Sequence, residues 1–374
     1  MNYLIHPGDP AGYPERRQFL TGLAALAAGV LLPMEESVAQ TLSATAGRID
    51  IHHHFGPPSW QTLLASRGVL YGGWQGWTPG RAIEAMDEAG VDTSMTSITY
   101  PGIWFGDGIV TRRLARECNE YGAKMAVDHP GRFGLFAALP LPDVDASLRE
   151  IEYAFDVLEA DGVGVLTSFG DQWLGDRAFA PVFEELNRRS AVVFTHANVP
   201  NCCTRGGSGA QRYLVPGVNN NVIEYGTDTT RAIMSIIASG TASRYPAIRF
   251  TFSHAGGTMP FLIQRIIGDG DIGRRLASPA EPNTPLYELR RFFYDTANTA
   301  NPVAMGALRQ IVGVSQIVLG TDFPYHVMAD VVKDLHENAV FNTDELRSVE
   351  RENALRLLPK HDVTRGLPSF RSVG

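Results

Sequence analysis

From Arg48 onward the chain alternates short apolar runs of strand length with stretches whose apolar positions recur three and four apart. The runs predict eight strands, over residues 48–55, 93–100, 132–139, 162–169, 191–197, 248–254, 292–297 and 315–322. Between them, the 3.6-residue period predicts helices over 80–89, 114–127, 146–160, 181–189 and 229–239. Such alternation requires a parallel sheet with crossover helices, and eight is the number of strands that closes one into a barrel. The expected fold is therefore α/β, a single (β/α)8 TIM-barrel domain. Two connections exceed the usual length, residues 56–79 after the first strand and 198–225 after the fifth. The first carries Trp60, Trp74 and Trp77, aromatics that suit a lid or a subunit contact.

The chain before Arg48 reads as an address. Arg16 and Arg17 precede a mildly apolar run, Phe19 to Leu32, and Ser37-Val38-Ala39 offers small residues to a signal peptidase. This looks like a twin-arginine signal over 1–39, with the barrel domain over 40–374 and export to the periplasm as its consequence. The run of 14 residues is too short to span a bilayer, so no stable membrane span is expected once the signal is gone. Forty acidic against 32 basic residues give a formal charge of -8, and removing residues 1–39 leaves 36 against 30, or -6. An acidic chain lacks the basic surplus that holds nucleic acid. Three cysteines make no disulfide framework; Cys118 falls in a helical pattern, and Cys202 and Cys203 lie on the long fifth loop.

Candidate chemistry sits at strand ends. His52 and His54 close the first strand on one face and His53 points to the other, because side chains alternate along a strand. His196 ends the fifth strand, His254 the sixth and Asp322 the eighth. All fall on the face of a barrel where active sites are built. A ring of imidazoles with a carboxylate in one concave mouth is costly to bury without a cation, and nitrogen and oxygen donors suit zinc or a neighbouring divalent metal. His129, His326, His336 and His361 fall in helical or loop contexts, with only His326 near enough in sequence to Asp322 to support it.

With these residues in order, the chain resembles the amidohydrolase superfamily, in the branch containing aminocarboxymuconate-semialdehyde decarboxylase and the aromatic-acid decarboxylases. Asp50-Ile51-His52-His53-His54, His196, the SHAGG run over 253–257 and the GTDFP run over 320–324 carry the resemblance, which extends from Ile49 to Leu358. It implies one metal held by His52, His54, His196 and Asp322, with His254 beside it as acid and base. Strand four, GVGVLTSF, has no lysine where dinuclear relatives supply a bridging ligand, which favours a single ion. His52 favours Zn2+, with Mn2+ the other candidate. The branch also implies a homodimer.

The expected activity is metal-dependent, non-oxidative decarboxylation of an aromatic or unsaturated carboxylic acid, with His254 and metal-bound water handling protons, whereas in a hydrolytic reaction Asp322 or His254 takes the proton of the attacking hydroxide. The alternative is hydrolysis of a lactone, ester or amide at the same site, and a third reading is an exported metal-storage or solute-binding protein. Trp104, Trp173 and Phe323 lie just beyond strand ends where they can stack on a flat substrate, and Arg205 is placed to meet a carboxylate.

Overall fold

The computed structural model describes residues 47–200, 215 and 217–362. The twin-arginine segment, Cys202, Cys203 and Arg205 lie outside the described residues. Eight strands, β1 (Arg48–His54), β2 (Val91–Ser97), β3 (Phe133–Ala138), β4 (Gly162–Leu166), β5 (Val192–His196), β6 (Arg249–Phe252), β7 (Phe293–Asp295) and β8 (Ile317–Val318), form one sheet in chain order. Every neighbouring pair is parallel. Parallel neighbours need crossovers, and helices such as Pro79–Ala89, Gly108–Asp128, Val144–Asp156, Ala180–Arg188 and Glu224–Ala238 supply them. The sheet closes on itself where Ile51 N donates to Leu319 O (2.9 Å), Asp322 N to His52 O (2.8 Å) and His54 N to Phe323 O (2.8 Å). This is the expected TIM barrel.

Two details of the backbone position the site. Pairing between β1 and β2 advances from Asp50↔Ser94 to His53↔Thr96, three residues against two, so a bulge lies within the first strand. Asp50 consequently faces His53, whose Nδ1 lies 3.4 Å from its Oδ2, while His52 and His54 turn into the barrel. Below them Ile49, Ile51, Met95, Phe136, Phe194 and Val318 make a buried floor. Phe194 lies stacked on Phe136 and edge-on to His52, with ring centres 5.1 Å apart in the second pair.

The sixth and eighth strands are shorter than the apolar pattern predicts, for a conformational reason. His254, Ala255 and Asp322 have φ of 54°, 55° and 60°, a left-handed geometry that no ladder residue adopts. The sixth-strand ladder therefore stops at Phe252, while beyond Val318 single bonds through Leu319, Asp322 and Phe323 still tie the chain to β1, and turns aim the His254 and Asp322 side chains. Behind His254, Gly257 comes so close to the helix over 224–238 that a β-carbon there would stand 2.0 Å from Gly226 O. Only glycine permits that contact.

The insertion over 56–79 holds a helix, Pro58–Ser66, opened by proline in its first turn, and a short 3-10 turn, Gly72–Trp74. Its three tryptophans are buried against the barrel: Trp60 Nε1 donates to Gly102 O (2.9 Å) and Trp74 Nε1 to the Tyr325 hydroxyl (3.2 Å). After β4, a small antiparallel hairpin pairs Ser168–Phe169 with Gln172–Trp173. Cys118 is buried in the helix over 108–128, and burial pushes its thiol up. Among the described residues no helix is long and apolar enough to cross a membrane.

Candidate metal centre

Three imidazoles and one carboxylate meet at the mouth of the barrel. His52 and His54 come from β1, His196 from the last position of β5, and Asp322 from the left-handed turn beyond β8. One donor atom from each lies within 4.8 Å of the other three, and all four residues are buried. His52 Nε2 is 3.0 Å from His54 Nε2, and these two atoms lie 3.3 Å and 3.1 Å from Asp322 Oδ1.

The outward nitrogen of each ring is already engaged. His52 Nδ1 donates to Asp295 Oδ2 (2.8 Å), His54 Nδ1 to Ser97 O (3.2 Å) and His196 Nδ1 to Ala197 O (2.8 Å). An acceptor at Nδ1 fixes the tautomer with its lone pair on Nε2. Three lone pairs and a carboxylate oxygen facing one another, away from water, repel unless a cation lies between them. A divalent ion fits this donor set, and the mixture of imidazole and carboxylate is one that zinc takes.

The electrostatics agree. Burial alone would lower His52, yet Asp295 and then Asp322 outweigh it and raise the ring to about 10, so without a cation the site takes up a proton in its place. His54, penalised chiefly by burial and also by its charged neighbour His52, is pushed down to about 4. Burial, followed by His54 and His52, holds His196 well below its ordinary value. Asp322 is pushed up by burial, but the charge of His52 and the close approach of the imidazoles outweigh that and keep it well below the usual carboxylate range. Asn298 Nδ2 donates to its second oxygen, Oδ2, at 2.8 Å.

His254 stands beside this set. Its Nε2 is 3.5 Å from Asp322 Oδ2 and its ring centre is 5.1 Å from that of His52. Both ring nitrogens are buried without a hydrogen-bond partner among the described residues. A buried imidazole left so is unusual in a folded core and is typical of a group that meets something else. Tyr225 lies over His254, the rings 6.5 Å apart and nearly parallel, and Tyr325 is edge-on to His54 at 5.9 Å.

The other sequence-derived positions fall further out. Phe323 stacks on His53 at 4.8 Å, on the side of β1 opposite to His52 and His54. Trp173 is half-buried, its Nε1 donating to Asp228 Oδ1 at 2.8 Å. Trp104 is half-buried in the connection after β2. His326 Nε2 reaches within 3.9 Å of Asp322 Oδ2, whereas His336 pairs with Glu350 and His361 with Asp161 away from the mouth. Asp295 went unread in the sequence, although a carboxylate closing the seventh strand was the available signal.

A parallel eight-stranded barrel with this donor set at its strand ends defines a metal-dependent barrel enzyme in architecture. Residues 49–360 match the family model described as Amidohydrolase, and the chain belongs to that family. It is 34% identical over 330 residues to decarboxylase yanB of Aspergillus niger, covering 84% of this chain and 88% of that one. It is 33% identical over 328 residues to the 6-methylsalicylic acid decarboxylase of Penicillium expansum, covering 84% and 96%. Among solved structures, the 2,6-dihydroxybenzoate decarboxylase from Rhizobium superposes with a TM-score of 0.69 at 20% identity, covering 84% and 99%.

Proposed function

We propose that this protein is a metal-dependent, non-oxidative decarboxylase of a small aromatic carboxylic acid, with an ortho-hydroxybenzoate as the substrate class. The observation that carries the reading is the buried His254 imidazole, whose ring nitrogens make no hydrogen bond among the described residues, beside a set of donors preorganised for one cation. The 33% identity to a 6-methylsalicylic acid decarboxylase over most of both chains supports the same chemistry.

When bound, a divalent cation supplies Lewis-acid polarisation of a substrate oxygen. His52, His54, His196 and Asp322 hold it, and three imidazole nitrogens favour zinc. Tyr225 over His254 and Tyr325 beside His54 offer aromatic faces to a flat ring. His254, protonated, delivers its proton to the ring carbon that bears the carboxylate. The carbon–carbon bond then breaks, its electron pair restores the aromatic ring, and carbon dioxide leaves. His254 regains a proton from solvent, so one proton is consumed for each carboxylate lost.

Two properties of the whole chain belong to the same proposal. Arg16 and Arg17 before an apolar run support export by the twin-arginine route to the periplasm. A homodimer is the expected assembly, which sedimentation measures directly.

The experiment is carbon dioxide release by zinc-loaded protein, residues 40–374, from a panel of 2-hydroxybenzoates, with aryl esters and lactones assayed alongside for acid. Carbon dioxide from one of the benzoates, abolished in His254→Ala, is the expected result. Acid from a lactone or ester without carbon dioxide overturns the reading.

A further inference from the structure

We propose that Asp295 is a positioning residue that ties the metal-holding set to the acid–base histidine, so that the two are fixed as one unit. The inference rests on the role given to His254 above.

Asp295 is the last residue of β7, fully buried, and its two oxygens serve different masters. Oδ2 accepts from Nδ1 of His52 at 2.8 Å. Oδ1 accepts from the backbone N–H of His254 at 2.8 Å and from that of Ala297 at 3.1 Å. One bond keeps the His52 lone pair on Nε2, facing His54 and Asp322. The other pins the start of the left-handed turn, His254 and Ala255 at φ 54° and 55°, that aims the His254 ring. A turn of that geometry persists only where its surroundings hold it.

The chemistry of the three partners restricts what can stand at 295. All are donors, so both oxygens must accept, and a carboxylate alone does this. An asparagine has one carbonyl oxygen and one NH2 group. With NH2 toward His52, Nδ1 must become the acceptor and the proton moves to Nε2, where it blocks the metal. With NH2 toward His254, two N–H groups oppose an N–H donor and the turn is released. Either orientation damages one half of the centre.

The test is Asp295→Asn, measured in two ways on the full chain. Affinity for Zn2+, by competition with a chromophoric chelator, is expected to fall roughly 10–100-fold. With zinc then raised to saturation, kcat on a 2-hydroxybenzoate is expected to stay about 100-fold low with KM little changed, because His254 remains misplaced. Unchanged zinc affinity, or full recovery of kcat at saturating zinc, overturns the proposal. If the asparagine chain does not fold, the zinc-loaded wild-type protein with 15N-labelled histidine decides. Its His52 must carry a proton on Nδ1 and none on Nε2, and its His254 amide must exchange among the slowest. A proton on Nε2 or a fast-exchanging amide overturns the proposal. Absence of carbon dioxide from the wild-type enzyme would instead remove the decarboxylase reading, and the zinc and amide measurements would still decide the role of Asp295.

Discussion

Gly320 lies directly behind His52: a β-carbon at position 320 would stand 2.8 Å from the Cβ of His52 and 2.8 Å from the Cβ of Asp295. The space is taken by the two side chains whose mutual hydrogen bond orients the first metal-facing imidazole. Gly320→Ala is therefore expected to push both aside, lowering stability by about 1–3 kcal/mol and zinc affinity by roughly tenfold or more. Chelator competition and thermal unfolding on the same preparation check the two effects.

Removal of metal-facing and proton-handling groups should separate cleanly. His52→Ala combined with His54→Ala is expected to abolish stoichiometric zinc, as read by elemental analysis. His254→Ala should keep the zinc and lose turnover by about 10²–10⁴-fold, the range of a general acid. Loss of zinc in the second variant would place His254 among the ligands instead.

A pH dependence of stability follows from the pair beneath the barrel. Burial pushes the Glu350 carboxyl up, but hydrogen bonds from His336 and Arg48, the latter at 2.6 Å, outweigh it and hold the group below its ordinary value of 4.5. A depressed carboxyl stabilises the fold above its unfolded value, and that stability fades as pH falls through the folded one. Glu350→Gln removes the carboxylate that Arg48 Nε and His336 face and is expected to cost about 3 kcal/mol at pH 7. Urea unfolding should show the gap to wild type narrowing below about pH 4.5.

The insertion after β1 is a structural wall by its packing. Trp60 is wholly buried and bonded to Gly102 O, so Trp60→Ala is expected to cost about 3–5 kcal/mol by opening a cavity. A melting temperature unchanged by that substitution would show the wall to be dispensable.

The barrel and its donor set were legible because each of His52, His54, His196 and Asp322 follows an apolar run, and polar residues in that place stand out in a one-dimensional pattern. Asp295 follows such a run too, but its use depends on what lies across the mouth, and no spacing encodes that His52 and the His254 amide are its partners. The turn at 254–257 is likewise invisible to periodicity. Left-handed φ at a histidine is a tertiary compromise, and the apolar pattern simply runs on into it. Phe323 and Trp173 illustrate the opposite limit: aromatic character just past a strand marks a position at the rim, while His53 and Asp228 decide which way each ring turns.

The seam between β1 and β8 has one more consequence. Asp50 accepts from Thr321 N (3.0 Å) and Thr321 Oγ1 (2.6 Å), stitching together two stretches 271 positions apart in the chain. Metal donors stand on both sides of this stitch, His52 and His54 on one and Asp322 on the other. A half-built barrel therefore owns no complete set of donors, and tight capture of the ion certifies that the barrel has closed.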